Sequence, residues 1–86
     1  MEYALLITGS VTKTNLFKKS IENKIPHISV VQTPTSIKSG GCSYSIRFRR
    51  EFAGQIADLA RSEGLKKINI YAESYNSLGQ KEYIPI

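Results

Sequence analysis

The sequence predicts an α+β domain in which strands and helices follow the order βαββαβ. Three observations carry that expectation. Tyr3 to Thr8 is a nearly unbroken apolar run, as in a strand buried on both faces. Tyr44, Ile46 and Phe48 alternate with Ser43, Ser45, Arg47 and Arg49, the period of two that puts one strand face on a core and the other in water. Around these strands lie two stretches whose apolar residues recur at helical spacing.

The elements follow in order. Gly9-Ser10 ends the first strand, and Thr12 is placed to cap a helix beginning at Lys13-Thr14-Asn15, because its hydroxyl can accept an otherwise unpaired amide. Leu16, Phe17, Ser20 and Ile21 are expected on one face of that helix, and Lys24-Ile25-Pro26 stops it, since a residue before proline is driven out of helical angles. His27 to Gln32, rich in β-branched residues, is the expected second strand. Thr33-Pro34 closes it, and the loop to Cys42 leads into the alternating third strand.

A second helix is expected from Arg50 or Glu51 to Glu63, with Phe52, Ala53, Ile56, Leu59 and Ala60 as its apolar stripe. Gly64 supplies a left-handed stop onto which Leu65 folds back. Lys67 to Ala72 is the fourth strand, with Ile68 and Ile70 inward. The turn signal at Asn76 to Gly79 offers a hairpin into a short fifth strand. This order is the split pattern of the ferredoxin-like fold, a two-layer sandwich with β1 and β3 central, both helices on one sheet face and the other face open. Ser45, Arg47, Asn69 and Tyr71 are expected on the open face.

Eighty-six residues make a single domain, with the core at about residues 3–72 and the tail at 73–86. The N-terminal strand has no basic flank or cleavage site of a signal peptide, and no apolar run approaches the ~20 residues of a membrane span, so a cytoplasmic protein is expected. One cysteine, Cys42, and one histidine, His27, supply neither a disulfide framework nor a four-ligand zinc site. His27 follows a proline in a tight connection and reads as surface. No paired carboxylates, metal set or phosphate-loop motif stands out, so a stand-alone enzyme and a resident cofactor are not expected. The formal charge of +5 favours anionic partners, yet no basic run exceeds two residues, which is the pattern of solvated surface.

The densest concentration of special chemistry is the stretch from Thr33 to Phe48. A small polar loop brings Cys42 to the start of a central strand, with Gly40 and Gly41 clearing side chains from around the sulfur. A reactive thiol must ionise and be reached. Lys38, Arg47 and Arg49 are candidate positive charges for it, and amides around Gly40 and Gly41, with the Ser39 hydroxyl, are candidate anion donors. Against this stand the ordinary roles of the same residues: a small semi-buried cysteine, a tight glycine turn into β3, loop serines, and Thr33-Pro34 setting the exit angle of the loop.

Thr33-Pro34, Ser39-Gly40-Gly41-Cys42 and Ser43-Tyr44-Ser45-Ile46-Arg47-Phe48 together resemble the small bacterial selenium/sulfur carrier-like proteins, a domain family of formally unknown function. The resemblance runs from about Tyr3 to Tyr71. Thr35 and Ser43 stand where many relatives carry arginine and glycine. The resemblance implies that Cys42 carries a persulfide or selenosulfide, loaded by a sulfur or selenium donor protein and unloaded by an acceptor protein.

The alternative is a nucleic-acid or protein-binding module without cysteine chemistry. Tyr44 and Phe48 are expected to face the helices, so β3 offers bases no stacking platform, and nucleic acid is the less favoured partner. An open sheet face in so short a chain also suits a homodimer.

Overall fold

The computed structural model describes residues 2–37, 43–65 and 67–86. Five strands form one antiparallel sheet: β1 (Tyr3–Gly9), β2 (Ser29–Gln32), β3 (Tyr44–Arg49), β4 (Ile70–Tyr75) and β5 (Lys81–Pro85). Helix α1 (Val11–Ile21) joins β1 to β2; a single 3-10 turn (Arg50–Phe52) and helix α2 (Ala53–Ser62) join β3 to β4. The spatial order is β2-β3-β1-β4-β5, so the apolar first strand lies at the centre, as its sequence expects.

The register divides the side chains between two faces. Ala4 opposes Phe48 and Ala72, and Leu6 opposes Ile46 and Ile70. These residues meet Phe17 and Ile21 of α1 and Ile56 and Ala60 of α2 in one buried cluster, so both helices lie on the same side of the sheet. The opposite face begins at β1 with Tyr3, Leu5 and Ile7, which oppose Arg49, Arg47 and Ser45 of β3.

Local chemistry accounts for most boundaries, with several corrections to the sequence reading. Ser10, not Thr12, caps α1: its hydroxyl accepts from the Lys13 amide at 3.2 Å, two residues earlier than expected. The buried positions of α1 are Thr14, Phe17 and Ile21. Leu16 and Ser20, one residue off that stripe, are exposed. Thr14 can occupy a buried site because its hydroxyl donates to the Ser10 carbonyl at 2.7 Å and meets the hydroxyl of Thr8.

The register of β1 against β3 shifts between Ile7 and Gly9, where Gly9 takes φ 98°, a left-handed angle suited to glycine at a bulge. Strand β2 starts at Ser29 instead of His27, because exposed His27 is itself left-handed at φ 57°. Helix α2 ends as expected: Gly64 at φ 84° lets the Leu65 amide reach back to the Ala60 carbonyl at 3.1 Å. Strand β4 runs from Ile70 to Tyr75 instead of 67–72, because Ala72 to Tyr75 find partners on β5. The hairpin between them is held by the Asn76 side-chain oxygen, which accepts from the amides of Leu78 and Gln80 at 2.9 and 3.0 Å.

Candidate functional site

Of the residues singled out in the sequence, Lys38, Ser39, Gly40, Gly41 and Cys42 lie outside the described residues. What is described is the base from which that loop springs. The Thr33 amide donates to the Ser43 carbonyl at 2.9 Å, joining the chain on either side of the loop. The Thr33 hydroxyl donates to Ser43 Oγ at 3.0 Å and lies 2.6 Å from Ser45 Oγ. Thr33 and Ser45 are buried, at 3% and 0% exposure. A buried hydroxyl needs a partner, and here each supplies the other's. At the start of the loop, the Ile37 amide closes a turn onto the Pro34 carbonyl at 3.1 Å.

Arg47 is not part of that base. Four residues along β3 from Ser43, it sits about 13 Å away at ordinary strand rise. Its guanidinium makes a forked contact with Glu73 of β4, Nε to Oε2 at 2.9 Å and Nη2 to Oε1 at 3.3 Å. It also lies over the Tyr3 ring, 3.9 Å from the centroid. Lys81 of β5 approaches the same carboxylate at 3.6 Å.

Burial raises the pKa of the Glu73 carboxyl, but the Arg47 hydrogen bond and the charges of Arg47 and Lys81 outweigh it, so the group is held below its ordinary value. The same hydrogen bond holds Arg47 above its own, against the lowering effect of burial. Arg49, the next cation on this face, reaches Glu51 at 3.8 Å, and its Nε is buried without a hydrogen-bond partner among the described residues.

The aromatic residues are sorted between the two sheet faces. Phe48 and Phe17 are buried in the helix-covered cluster, and Phe52 packs against it. On the other face, the pairings of Leu5 with Tyr71, Glu73 with Tyr83 and Tyr75 with Lys81 place Tyr71, Tyr75 and Tyr83 with Tyr3. Four of the chain's five tyrosines therefore share the face without helices. Tyr71 is expected there from sequence, but with Tyr44 and Phe48 of β3 expected to face the helices, no stacking platform is expected. The missed signal was the spacing of Tyr71 and Tyr75, an even number of residues apart on one strand, combined with Tyr3 at odd register to the helix-facing Ala4 and Leu6.

Among the described residues, no group of three or more histidine, cysteine, aspartate or glutamate side chains is arranged to hold a metal ion. No helix among them is long and apolar enough to cross a membrane. Comparison with protein-family models, curated proteins and solved structures found no match to this chain.

Proposed function

We propose that the protein is a thiol-dependent carrier of sulfur or selenium, with Cys42 as the carrier group, built on a ferredoxin-like sheet extended by β5. Two things support this reading: the resemblance of the Thr33–Phe48 stretch to the selenium/sulfur carrier-like family, and the clamp at the foot of the loop. The clamp is the observation that carries it. Buried Thr33, bonded to Ser43 and Ser45, fixes the backbone of the residue that directly follows Cys42. Ser43, the sequence neighbour of Cys42, is thereby tied to the core. A donor protein must find the sulfur at a repeatable position, and this arrangement suits that need.

The chemistry needs no cofactor. The Cys42 thiolate attacks the terminal sulfur of a donor persulfide, a sulfur–sulfur bond forms to Cys42, and the donor's own thiolate leaves with the electron pair of the broken bond. An acceptor thiolate removes the carried atom by the same exchange in reverse. Selenium follows the same balance from a donor selenosulfide. The donor and acceptor are proteins in this reading.

The test is intact-mass measurement after incubation with a persulfide-loaded cysteine desulfurase. The expected result is one added sulfur on the wild-type chain and none on Cys42→Ser. The same mass gain on both chains, or no gain on the wild type, removes the carrier role.

A further inference from the structure

The uncovered sheet face has a composition that the carrier reading does not use. Tyr3, Tyr71 and Tyr83 are half-buried and Tyr75 is exposed. Tyrosine on a surface pairs a large apolar ring with a polar edge, and it is enriched where a surface is covered part of the time. On the same face, the cations Arg47, Arg49 and Lys81 meet one carboxylate among the strand residues, Glu73. That carboxylate is already engaged by Arg47 and Lys81. Glu51, just past β3, reaches Arg49, so the three cations stand against two carboxylates and the face keeps a small positive excess, in a chain of formal charge +5.

That charge selects the occupant. A second copy laid face to face brings cations against cations, which opposes association. An anionic partner is attracted instead, and one with flat rings also uses the tyrosines. We infer that this face binds single-stranded nucleic acid, with bases stacking on Tyr71, Tyr75 and Tyr83 and phosphates held by Arg47, Arg49 and Lys81. Stacking on aromatics beside a basic groove is how sequence-tolerant single-strand binding works, because every base presents a π-face. Tyr3 is already stacked under Arg47, and the pair forms the centre of the platform.

The inference is independent of Cys42. Its test is fluorescence anisotropy of the full chain with a labelled single strand of about 12 nucleotides, within the range such surfaces cover. If three phosphates are neutralised, affinity falls about 20-fold between roughly 50 and 200 mM salt. Tyr71→Ala and Tyr83→Ala each weaken binding by roughly 5- to 100-fold, whereas Tyr71→Phe and Tyr83→Phe, which keep the ring, stay within about twofold. Circular dichroism of each variant shows that the sheet is retained.

Cys42→Ser binds like the wild type; a loss in that variant overturns the assignment to the tyrosine face. Four other results also overturn it: no anisotropy change at low salt, folded alanine variants that bind like the wild type, equal affinity for a duplex of the same length, or sedimentation showing a dimer closed through Tyr71 and Tyr83. Failure of the wild-type chain to take up sulfur, by contrast, bears on the carrier reading alone.

Discussion

Both faces of the sheet shield residues from water, but to different extents and by different means. On the helix side, Ala4, Leu6, Ile46 and Phe48 are fully buried by hydrocarbon from α1 and α2. On the other side no helix contributes, yet Leu5 is 1% exposed and Ser45 is fully buried. Leu5 is flanked on its neighbouring strands by Arg47 and Tyr71, and Ser45 is bonded to Thr33. One face is built from shape and apolar area; the other from long amphipathic side chains and paired polar groups. The first kind of packing is strong and intolerant of change. The second is weaker, and it leaves rings and charges where a partner can reach them.

Exchanging aromatic residues between the faces gives the largest contrast. Phe48→Ala is expected to cost about 3–5 kcal/mol, because the site is fully enclosed and its neighbours belong to two layers. Phe48→Tyr forces a hydroxyl into the same enclosure, at a cost of about 1–3 kcal/mol for the unpaired group. Tyr71→Phe, which deletes a hydroxyl from the half-buried face, is expected to stay within about 0.5 kcal/mol. Urea denaturation of the three variants checks this order. A Tyr71→Phe loss as large as that of Phe48→Tyr removes the distinction between the faces.

The second contrast lies inside the polar face. Thr33→Val keeps the shape of the side chain but strips the partner from two serine hydroxyls, one of them on fully buried Ser45, at an expected cost of about 1–3 kcal/mol. Adding Ser45→Ala removes the stranded hydroxyl. The double variant is therefore expected to be less destabilised than the sum of the single ones, and the coupling reads out the bond. Additive losses show that the two hydroxyls act independently and that the foot of the loop is not a unit.

How much of this was legible in sequence depends on the kind of interaction involved. Strand identity and the helix-facing set of β3 followed from periodicity, since Tyr44, Ile46 and Phe48 could share a core only on one face. The C-terminal stop of α2 followed from Gly64, whose left-handed angle has few alternatives. Failures occurred where two residues of similar chemistry compete. Ser10 and Thr12 are both good caps, and Ser10, directly after the bulge at Gly9, takes the role two residues earlier than expected. Leu16 looks like core by type, yet Thr14 holds the buried position because its hydroxyl reaches the Ser10 carbonyl one turn back and meets Thr8. The Thr33–Ser45 bond and the Arg47–Glu73 fork span 12 and 26 residues, and no local pattern announces either. The sequence reading of the site centred on residues 38–42, with Arg47 as their anion contact, while the described contacts of Arg47 are with Glu73 and Tyr3.

The smallest expected effect is a pH dependence that the buried cluster beneath the helices, whose members carry no ionisable group, cannot produce. Glu73 has a folded-state pKa below its unfolded value, because its bonds to Arg47 and the charges of Arg47 and Lys81 exceed the opposing effect of burial. The stability it contributes is therefore fully present above the unfolded glutamate value, about 4.3, and is lost as the pH falls below it through the lower folded value. Arg47, raised above an already high value, contributes nothing to that window. The Arg47 and Lys81 side chains are 34% and 40% exposed, so solvent screens the pair and the contribution is about 1 kcal/mol. Denaturation midpoints of the wild type and Glu73→Gln are expected to differ at neutral pH and to converge as acid protonates the wild-type carboxyl. A constant gap down to the lowest pH at which the fold survives means that Glu73 acts through packing alone, and the charged face then differs from the apolar one only in composition.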